Sequence, residues 1–255
     1  MKAHDPTRKS HTRHEHLDLR EAWERNARSF IEWARKPGHD SYWRFHRDQF
    51  LRILPEPGQL TLDIGCGEGR LARDLATLNH RVLAVDASPT MAAHAREANP
   101  GGAVVIADAA RLPLPDGCSD LAVAFMSLQD MDDLSGALRE AARVLVVEGR
   151  LCLAIVHPIN SAGQFDGIED DSRFTIAGSY LDAFYYEDRM ERDGVETTFA
   201  STHRSLETYM DSLAAAGFLV ELLREPAVPA GAGVRPEDRR WQRIPLFLHL
   251  RAVRM

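Results

Sequence analysis

The chain has 255 residues, of which 44% are hydrophobic, and a formal net charge of −7 at pH 7. This acidic balance argues against a nucleic-acid partner held through its phosphates. No apolar run approaches the roughly 20 residues that span a bilayer, and the N-terminus shows no apolar signal-peptide core, so we expect a cytoplasmic protein with no membrane partner. Cys66, Cys118 and Cys152 lack paired C-x-x-C spacing, which predicts neither a disulfide framework nor a zinc site.

The N-terminal part divides into a polar tail and two helices. Residues 1–16 have the composition of a disordered tail. Its four histidines, whose spacing fixes no metal geometry, are His4, His11, His14 and His16. Apolar residues at intervals of three and four predict an amphipathic helix over 19–34, and a second helix over 41–54 ends before Pro55.

The strongest local pattern is a strand, a glycine turn and a helix around Gly65, Gly67 and Gly69. Glycine lets a ligand approach the backbone closely, and the helix that follows points free amides at the same place. The spacing G-x-G-x-G fails the dinucleotide fingerprint G-x-G-x-x-G, which argues against a nicotinamide or flavin cofactor. Asp63, two residues before the first glycine, offers a carboxylate to a ligand with a cationic amino group.

Strands and helices alternate after this turn. The predicted strands are 59–64, 81–86, 103–107, 120–125 and 150–157, with helices 70–78, 90–98 and 134–144 between most of them. This alternation predicts an α/β fold with a doubly wound parallel sheet, whose ligands lie beyond the carboxyl ends of the strands. Asp86 ends the second strand 23 positions after Asp63, about where an acid accepts the hydroxyls of a ribose.

The [DE]-x-G-x-G-x-G arrangement from Asp63 to Gly69 resembles motif I of the class I S-adenosylmethionine (SAM)-dependent methyltransferases. The A-D-A-x-x-L-P pattern that begins at Ala107 and the segment 120–130 resemble later motifs, so that the resemblance covers about residues 59–157. It implies SAM as the cofactor and a mostly parallel, seven-stranded Rossmann-like sheet. Gln129 stands where many relatives carry histidine, so no base is assigned at that position.

The residues that match the family's motifs form the predicted cofactor site. They are Asp63, Gly65, Cys66, Gly67, Gly69, Asp86, Ala87, Met91, Asp108, Ala109 and Met126. The resemblance implies that Asp108 accepts from the adenine amino group and that the Ala109 amide contacts a ring nitrogen. Cys66 is interpreted as a small filler of the glycine turn rather than a nucleophile.

Residues 159–200 depart from the alternating pattern. They hold ten Asp or Glu against three Arg, and seven of the nineteen aromatic residues of the chain. Such a segment is too aromatic for a plain linker, and we predict a cap over the substrate. A helix over 205–215 and strands over 218–223 and 244–253 follow, and by the family's pattern these strands pair as an antiparallel hairpin. The predicted organisation is a tail (1–16), capping helices (17–56), a SAM-binding core (57–158), a substrate cap (159–200) and the closing elements of the core (201–255).

Substrate contacts are predicted in the flanking segments and just after the strands. The candidates are Tyr42, Trp43, His46, Gln129, Tyr180, Tyr185 and Tyr186. Tyr42 and Trp43 fit packing between two helices equally well. A base is optional for methyl transfer; His157, at the end of the fifth strand, is the first candidate and His203 the second, because imidazole titrates near neutral pH. His157 fits a strand cap bonded to backbone equally well.

These inferences predict a SAM-dependent methyltransferase that acts on an oxygen or nitrogen atom of a small organic molecule, a class that includes natural products. Two other classes stay open. One is a cyclase-like enzyme that binds SAM without transferring its methyl group, and the other is a methyltransferase of proteins or peptides. Release of S-adenosylhomocysteine (SAH) distinguishes methyl transfer from the cyclase-like activity. The identity of the methylated product distinguishes a small acceptor from a protein or peptide. The sequence names neither the acceptor nor the oligomeric state.

Overall fold

The computed structural model describes residues 10–231 and 234–255. Its strands are β1 (Ser10–His14), β2 (Thr61–Ile64), β3 (Val82–Asp86), β4 (Ala103–Ile106), β5 (Ser119–Phe125), β6 (Leu145–Val156), β7 (Gln164–Phe165), β8 (Phe174–Thr175), β9 (Phe184–Arg192), β10 (Val195–His203), β11 (Phe218–Arg224) and β12 (Phe247–Arg254). Its α-helices are α1 (Leu19–Arg35), α2 (Arg47–Leu51), α3 (Arg70–Thr77), α4 (Pro89–Ala98), α5 (Leu134–Val144), α6 (Pro158–Ala162) and α7 (Leu206–Ala215). A π-helical turn, Tyr42–His46, precedes α2, and 3₁₀ turns occupy Leu128–Asp130 and Pro236–Gln242.

Seven strands form the main sheet in the order β11-β12-β6-β5-β2-β3-β4. The strands from β6 to β4 in this order are parallel, whereas β12 runs antiparallel to both β6 and β11. The predicted mostly parallel, seven-stranded sheet and its closing hairpin are therefore confirmed. The chain leaves β2 toward β3 and β4 and returns on the other side to β5, so the order reverses beside the carboxyl end of β2, where ligands bind in such sheets.

Both faces of the sheet are covered, which explains why its strands read as apolar runs. Along β5, Leu121 and Val123 face a cluster built with α2 and α3, while Ala122 and Ala124 face the cluster built with α5 and α7. Successive side chains of a strand point to opposite faces, so one short run contributes to both layers of the core.

The N-terminal segment differs from its prediction. Ser10–His14 forms β1 and pairs antiparallel with β9, and His11 Nδ1 lies 3.0 Å from Asp188 Oδ1. A disordered tail over 1–16 is therefore wrong for this strand, while residues 1–9, including His4, lie outside the described part of the chain. The strand has polar side chains without apolar alternation, and its partner is remote in sequence, so no local pattern indicated it.

The segment 159–200 ends in the hairpin β9–β10, which joins β1 in a second, three-stranded sheet. This hairpin packs on α1, where Trp23 Nε1 donates to the Ala200 carbonyl at 2.9 Å. None of the helices within the described ranges is long and apolar enough to cross a bilayer.

Two element boundaries also differ. The helix predicted over 41–54 is a π-helical turn followed by α2, which ends at Leu51. β6 begins at Leu145, before the predicted position 150, and accommodates Glu148 at a φ of +63°. A register shift in the pairing of β5 with β6 absorbs this irregularity, which a strand pattern does not indicate.

Candidate active site

A cavity of about 570 Å³ lies beyond the carboxyl ends of β2, β3 and β5, a volume typical of ligand sites. Ten of the eleven predicted cofactor residues line it: Asp63, Gly65, Cys66, Gly67, Asp86, Ala87, Met91, Asp108, Ala109 and Met126. Gly69 lies behind the turn, where an added Cβ would stand 3.0 Å from the Ala95 Cβ. Its role is close packing of α3 against α4. We call the part of the cavity lined by these ten residues the cofactor groove.

The glycines of the turn serve different purposes. A Cβ at Gly65 would lie 2.4 Å from the Ser127 Cβ, so this position needs glycine for packing against the loop after β5. At Gly67, where φ is +56°, the only described residue that an added Cβ would approach within 4 Å is Phe30, at 3.7 Å. Gly67 therefore presents bare backbone to the cavity, and a ligand can come close there.

Asp63 is a buried carboxyl group, 1% exposed, at the floor of the groove. Its Oδ2 has no hydrogen-bond partner in the described part of the chain. Burial, together with the charge of Asp86, raises the pKa of this carboxyl to about 7. An ionised carboxylate without a partner is costly in such a place, so a cationic group of a ligand would relieve the cost.

Asp86 connects β3 to the glycine turn. Its Oδ2 accepts from the Gly67 amide at 2.7 Å, and its Oδ1 accepts from the Ser88 amide at 2.9 Å. Burial raises the pKa of the Asp86 carboxyl, although both amides favour the ionised form. Each carboxylate oxygen accepts more than one hydrogen bond, so both retain capacity for ligand hydroxyls.

The far side of the groove is suited to a flat ring. Asp108 Oδ1 accepts from the Ala110 amide at 2.9 Å, which orders the loop after β4. Ala109 and Met91 are nearly buried and line the same cavity, and Met91 packs against Ala27 of α1. The residues predicted for the adenine end therefore lie together.

Cys66 lines the groove but is not an activated nucleophile. Burial raises the pKa of its thiol well above the usual value, and the charges of Asp86 and Asp63 act in the same direction. A thiolate is disfavoured here, and the residue remains a small neutral side chain of the turn.

This set of residues fits SAM. The unpartnered carboxyl of Asp63 suits an α-ammonium group, the open backbone of Gly67 suits close contact, and Asp86 retains acceptors for a ribose. Asp108 and Ala109 would hold the adenine. When bound, the cofactor supplies a methyl group attached to a positively charged sulfur.

Helix α1 covers the groove and is joined to the core by two carboxylates. Glu24 accepts from Thr90 Oγ1 at 2.6 Å and from Ser88 Oγ, at the start of α4. Arg35 Nε donates to the buried Glu68 Oε2 at 3.0 Å, beside the glycine turn. Between these ties, α1 contributes the aromatic side chains Trp23, Phe30 and Trp33 to the cavity lining.

Three predicted substrate residues, His46, Gln129 and Tyr186, do line the cavity. The His46 ring stacks on Phe247 at 3.7 Å between centroids, and its Nε2 lies 2.8 Å from His249 Nε2. Burial lowers the pKa of both histidines, that of His249 to about 3, so both rings are neutral and His46 presents a neutral face to the cavity. Burial raises the pKa of the Tyr186 phenol well above its usual value. His46 and Tyr186 thus offer neutral surfaces to a substrate.

The other four predicted substrate residues lie outside the cavity lining, which does not support their assignment as substrate contacts. The Tyr42 hydroxyl donates to Asp74 Oδ2 at 2.6 Å, Trp43 Nε1 donates to the Ala34 carbonyl at 2.8 Å, the Tyr180 hydroxyl accepts from the Leu206 amide at 3.0 Å, and the Tyr185 ring packs edge-on against His16. Each of these side chains joins two elements, which is the packing role left open for Tyr42 and Trp43.

Both predicted bases also lie outside the cavity lining. His157 Nδ1 accepts from the Ile159 amide at 3.1 Å as the cap of α6, and its Nε2 lies 3.0 Å from Glu225 Oε1. His203 is fully buried, with Nδ1 2.7 Å from Ser161 Oγ and Nε2 2.8 Å from a backbone carbonyl. Burial lowers the pKa of both imidazoles. All four ring nitrogens have partners outside the cavity, so the structure lends no support to a base at either histidine.

Sequence reasoning missed the whole of one group of lining residues and two members, Asp130 and Ser201, of a second group. The first, which we call the apolar chamber, consists of Phe45, Val228, Trp241, Leu246 and Phe247. These side chains meet Met126, whose φ of +56° turns the chain at the end of β5. They come from the π-helical turn and from the C-terminal segment, and no sequence motif connects them.

The second group, the polar cluster, consists of Gln129, Asp130, Tyr186 and Ser201. Asp130 follows the end of β5, and Ser201 reaches it from β10, where its hydroxyl donates to Asp130 Oδ1 at 2.6 Å. The placement of Asp130 after a predicted strand was a usable signal. Ser201 carried none, because the hairpin that presents it has no family motif.

Comparison with known proteins agrees with this geometry. Residues 62–153 match the model of a methyltransferase domain. A probable S-adenosylmethionine-dependent methyltransferase of Mycobacterium tuberculosis is 37% identical over 45% of this chain and 43% of its own length. A ubiquinone/menaquinone biosynthesis C-methyltransferase of Caulobacter vibrioides is 33% identical over 42% of this chain and 48% of its own. The chain thus spans about half the length of the curated relatives it matches.

The fold similarity extends further than the sequence similarity. The crystal structure of an S-adenosylmethionine-dependent methyltransferase from Mesorhizobium loti matches 84% of this chain and 98% of its own, with a TM-score of 0.69 and 27% identity. The matched domain contains Asp63, the glycine turn, Asp86 and Asp108. Residues 62–153 therefore form a methyltransferase domain similar to those of the SAM-dependent methyltransferases, and the groove that this domain builds fits SAM as the cofactor.

Proposed function

We propose that this protein transfers the methyl group of SAM to an oxygen or nitrogen atom of a small organic molecule. The observation that carries the proposal is that one cavity joins the cofactor groove to the apolar chamber. The chamber walls are aromatic and aliphatic, which suits an acceptor with a substantial apolar body. The polar cluster lies on the same cavity and supplies groups that bind a heteroatom.

The elements that cover the cavity favour a small acceptor. Helix α1 and the hairpin β9–β10 both contribute lining residues, including Phe30, Phe199 and Met190. Covering elements of this kind exclude water from the reacting atoms, and a bulky folded protein would have to displace them. In-line methyl transfer then depends chiefly on holding the nucleophile in line with the methyl group.

The test is incubation of the protein with methyl-labelled SAM and a library of small hydroxylated and amino compounds. We expect SAH to form together with a labelled product whose methyl group is bonded to oxygen or nitrogen. Label in a protein or peptide would support the alternative acceptor class. Conversion of a compound without SAH would support a cyclase-like activity and overturn methyl transfer.

A further inference from the structure

We propose that Asp130 accepts the proton of a hydroxyl or amino group on the methyl acceptor, and that Gln129 orients that group. This inference rests on the proposed methyl transfer and specifies its chemistry. Asp130 ends the 3₁₀ turn after β5 and lines the cavity, as Gln129 does. Asp130 therefore offers the cavity a carboxylate, and Gln129 offers it an amide oxygen.

The contacts of Asp130 leave it able to take a proton. Its Oδ1 accepts from Ser201 Oγ at 2.6 Å, and its Oδ2 accepts from Gln129 Nε2 at 3.2 Å. Each oxygen of a carboxylate has two acceptor sites, so one site on each oxygen remains. Both existing donors hold the carboxylate in a fixed orientation, which is what a proton acceptor in a reaction needs.

Gln129 provides the second observation. The residue is 4% exposed, and its Nε2 donates to Asp130. Its Oε1 is buried and has no hydrogen-bond partner within residues 10–231 and 234–255. A buried acceptor left unpaired costs about 1–3 kcal/mol, and a donor on the substrate would remove that cost. An amino group has one hydrogen for Asp130 and a second for Gln129 Oε1, whereas a hydroxyl uses its single hydrogen on Asp130 and needs a neighbouring donor on the acceptor molecule to meet Gln129. A carbon nucleophile has no such donor.

The charges around Asp130 come from several elements. Arg204, after β10, favours the ionised carboxylate, while the phenols of Tyr186 and Tyr209 and the carboxyl of Asp86 are the other titratable groups that interact with it. Burial outweighs these effects and raises the pKa of Asp130 well above its usual value. A carboxylate with a raised pKa is a stronger base than an exposed one, which favours proton transfer from a weakly acidic acceptor.

Each bond broken in the transfer is matched by a bond formed. The O–H or N–H bond of the acceptor breaks, its proton joins a carboxylate oxygen of Asp130, and its electron pair stays on the acceptor atom. That atom forms the new bond to the methyl carbon as the carbon–sulfur bond breaks, and the sulfur keeps the electron pair of the broken bond. Asp130 later returns the proton to water.

The decisive variant is Asp130→Asn, which keeps the shape and removes the basic oxygen. The matched control is Asp211→Asn, the same change at an exposed position of α7. With SAM and a panel of phenols and arylamines, we expect Asp130→Asn to lower kcat by about 10²–10⁴-fold, the usual contribution of a general base. Its Kd for SAH, measured by calorimetry, should stay within about threefold of wild type, since no cofactor contact changes.

The pH profile distinguishes proton transfer from a structural role. Wild-type kcat should rise with pH through one ionisation, and Asp130→Asn should lose that dependence. Ser201→Ala removes a hydrogen bond to the ionised carboxylate, so the midpoint of the rise should move to higher pH while the protein stays folded. Asp130→Asn should also be the more thermostable protein at pH 8, because it lacks a buried group whose ionised form opposes folding.

Retention of kcat within threefold in Asp130→Asn would overturn the inference, and so would an unchanged pH profile or a midpoint unmoved in Ser201→Ala. Methylation confined to carbon nucleophiles would overturn it while leaving methyl transfer intact. Failure of the proposed function has a different signature: wild-type protein binds SAH but forms none from SAM with any compound.

Discussion

The cofactor groove and the rest of the cavity are built by opposite means. The groove uses backbone and carboxylates at or just after the carboxyl ends of β2, β3 and β4, all of them between Asp63 and Ala109 apart from Met126. The apolar chamber and the polar cluster use side chains from the π-helical turn, the loop after β5, the hairpin and the C-terminal segment. Recognition of the cofactor is therefore local in sequence, whereas the acceptor site exists only after folding. Four substitutions test this division.

The largest effect is expected from Gly67→Val in the groove. A branched side chain would fill the open space at the backbone, at a cost of about 3 kcal/mol or about 100-fold in the Kd for SAM. Gly117→Val is the matched control, since Gly117 has a φ of +59° and no described residue within 4 Å of an added Cβ. Calorimetric titration measures both. Equal affinities in the two variants would mean that Gly67 does not face the cofactor.

The next effect concerns the pH dependence of SAM binding. With the pKa of Asp63 at about 7 in the free protein, the ionised fraction rises from about a tenth at pH 6 to about nine-tenths at pH 8. Affinity for the α-ammonium group should therefore rise about tenfold over this range. Asp63→Asn should bind more weakly and lose this rise. Parallel pH curves for the two proteins would contradict the role of Asp63.

The Asp63 carboxyl should also make the stability of the ligand-free protein depend on pH. Its pKa is higher in the folded than in the unfolded state, so the folded protein binds more protons between about pH 4 and pH 7. The free energy of unfolding should fall as pH rises through that window, and Asp63→Asn should reduce this fall. Chemical denaturation at several pH values measures it.

A smaller effect is expected from Trp241→Ala in the apolar chamber. Removing this wall should raise the KM for the acceptor about fivefold, or about 1 kcal/mol, and leave the Kd for SAM unchanged. Trp43→Ala is a control of the same residue type, because Trp43 lies outside the cavity lining. A change in SAM affinity for Trp241→Ala would show that the apolar chamber and the cofactor groove do not act independently.

The smallest effect should come from Glu24→Gln, which weakens the tie between α1 and α4. Because the two hydroxyl donors remain and only the charge is lost, SAM affinity should fall about two- to threefold. Glu21→Gln, at an exposed position of the same helix paired only with Arg25 among described residues, should have no effect. Proteolysis rates of α1 with and without SAH provide a second measurement. Equal proteolysis rates of α1 in Glu24→Gln and Glu21→Gln would show that the contacts of Glu24 do not contribute to cofactor binding.

Much of the groove was predictable because its information is short-range. Asp63, Gly65 and Gly67 are close in sequence, and Asp86 ends its strand, so the strand pattern alone puts these residues at one edge of the sheet. The resemblance to a family then assigned the adenine contacts. His157 had the same kind of position, yet its ring caps α6 and contacts Glu225, because a side chain at a strand end can turn away from the cavity.

The acceptor site was less predictable because aromatic residues satisfy packing and binding patterns equally well. Tyr42 and Trp43 lie beside Phe45 in sequence, but only Phe45 lines the cavity, since a π-helical turn changes which side chains face inward. Likewise, Tyr185 and Tyr186 are adjacent in β9 and point to opposite faces, and only Tyr186 reaches the cavity.

The sequence by itself determined the order of the core elements from β2 to β6 and of α7, β11 and β12, the parallel sheet and the edge of the sheet where the cofactor groove lies, because each depends on periodicity or on residues close in the chain. Only the tertiary structure decided which histidines are engaged in packing, that β1 joins the hairpin, and that Asp130 meets Ser201. These features depend on contacts between segments distant in sequence. Their free energy comes from burial and hydrogen bonding in the folded state, which no local pattern encodes.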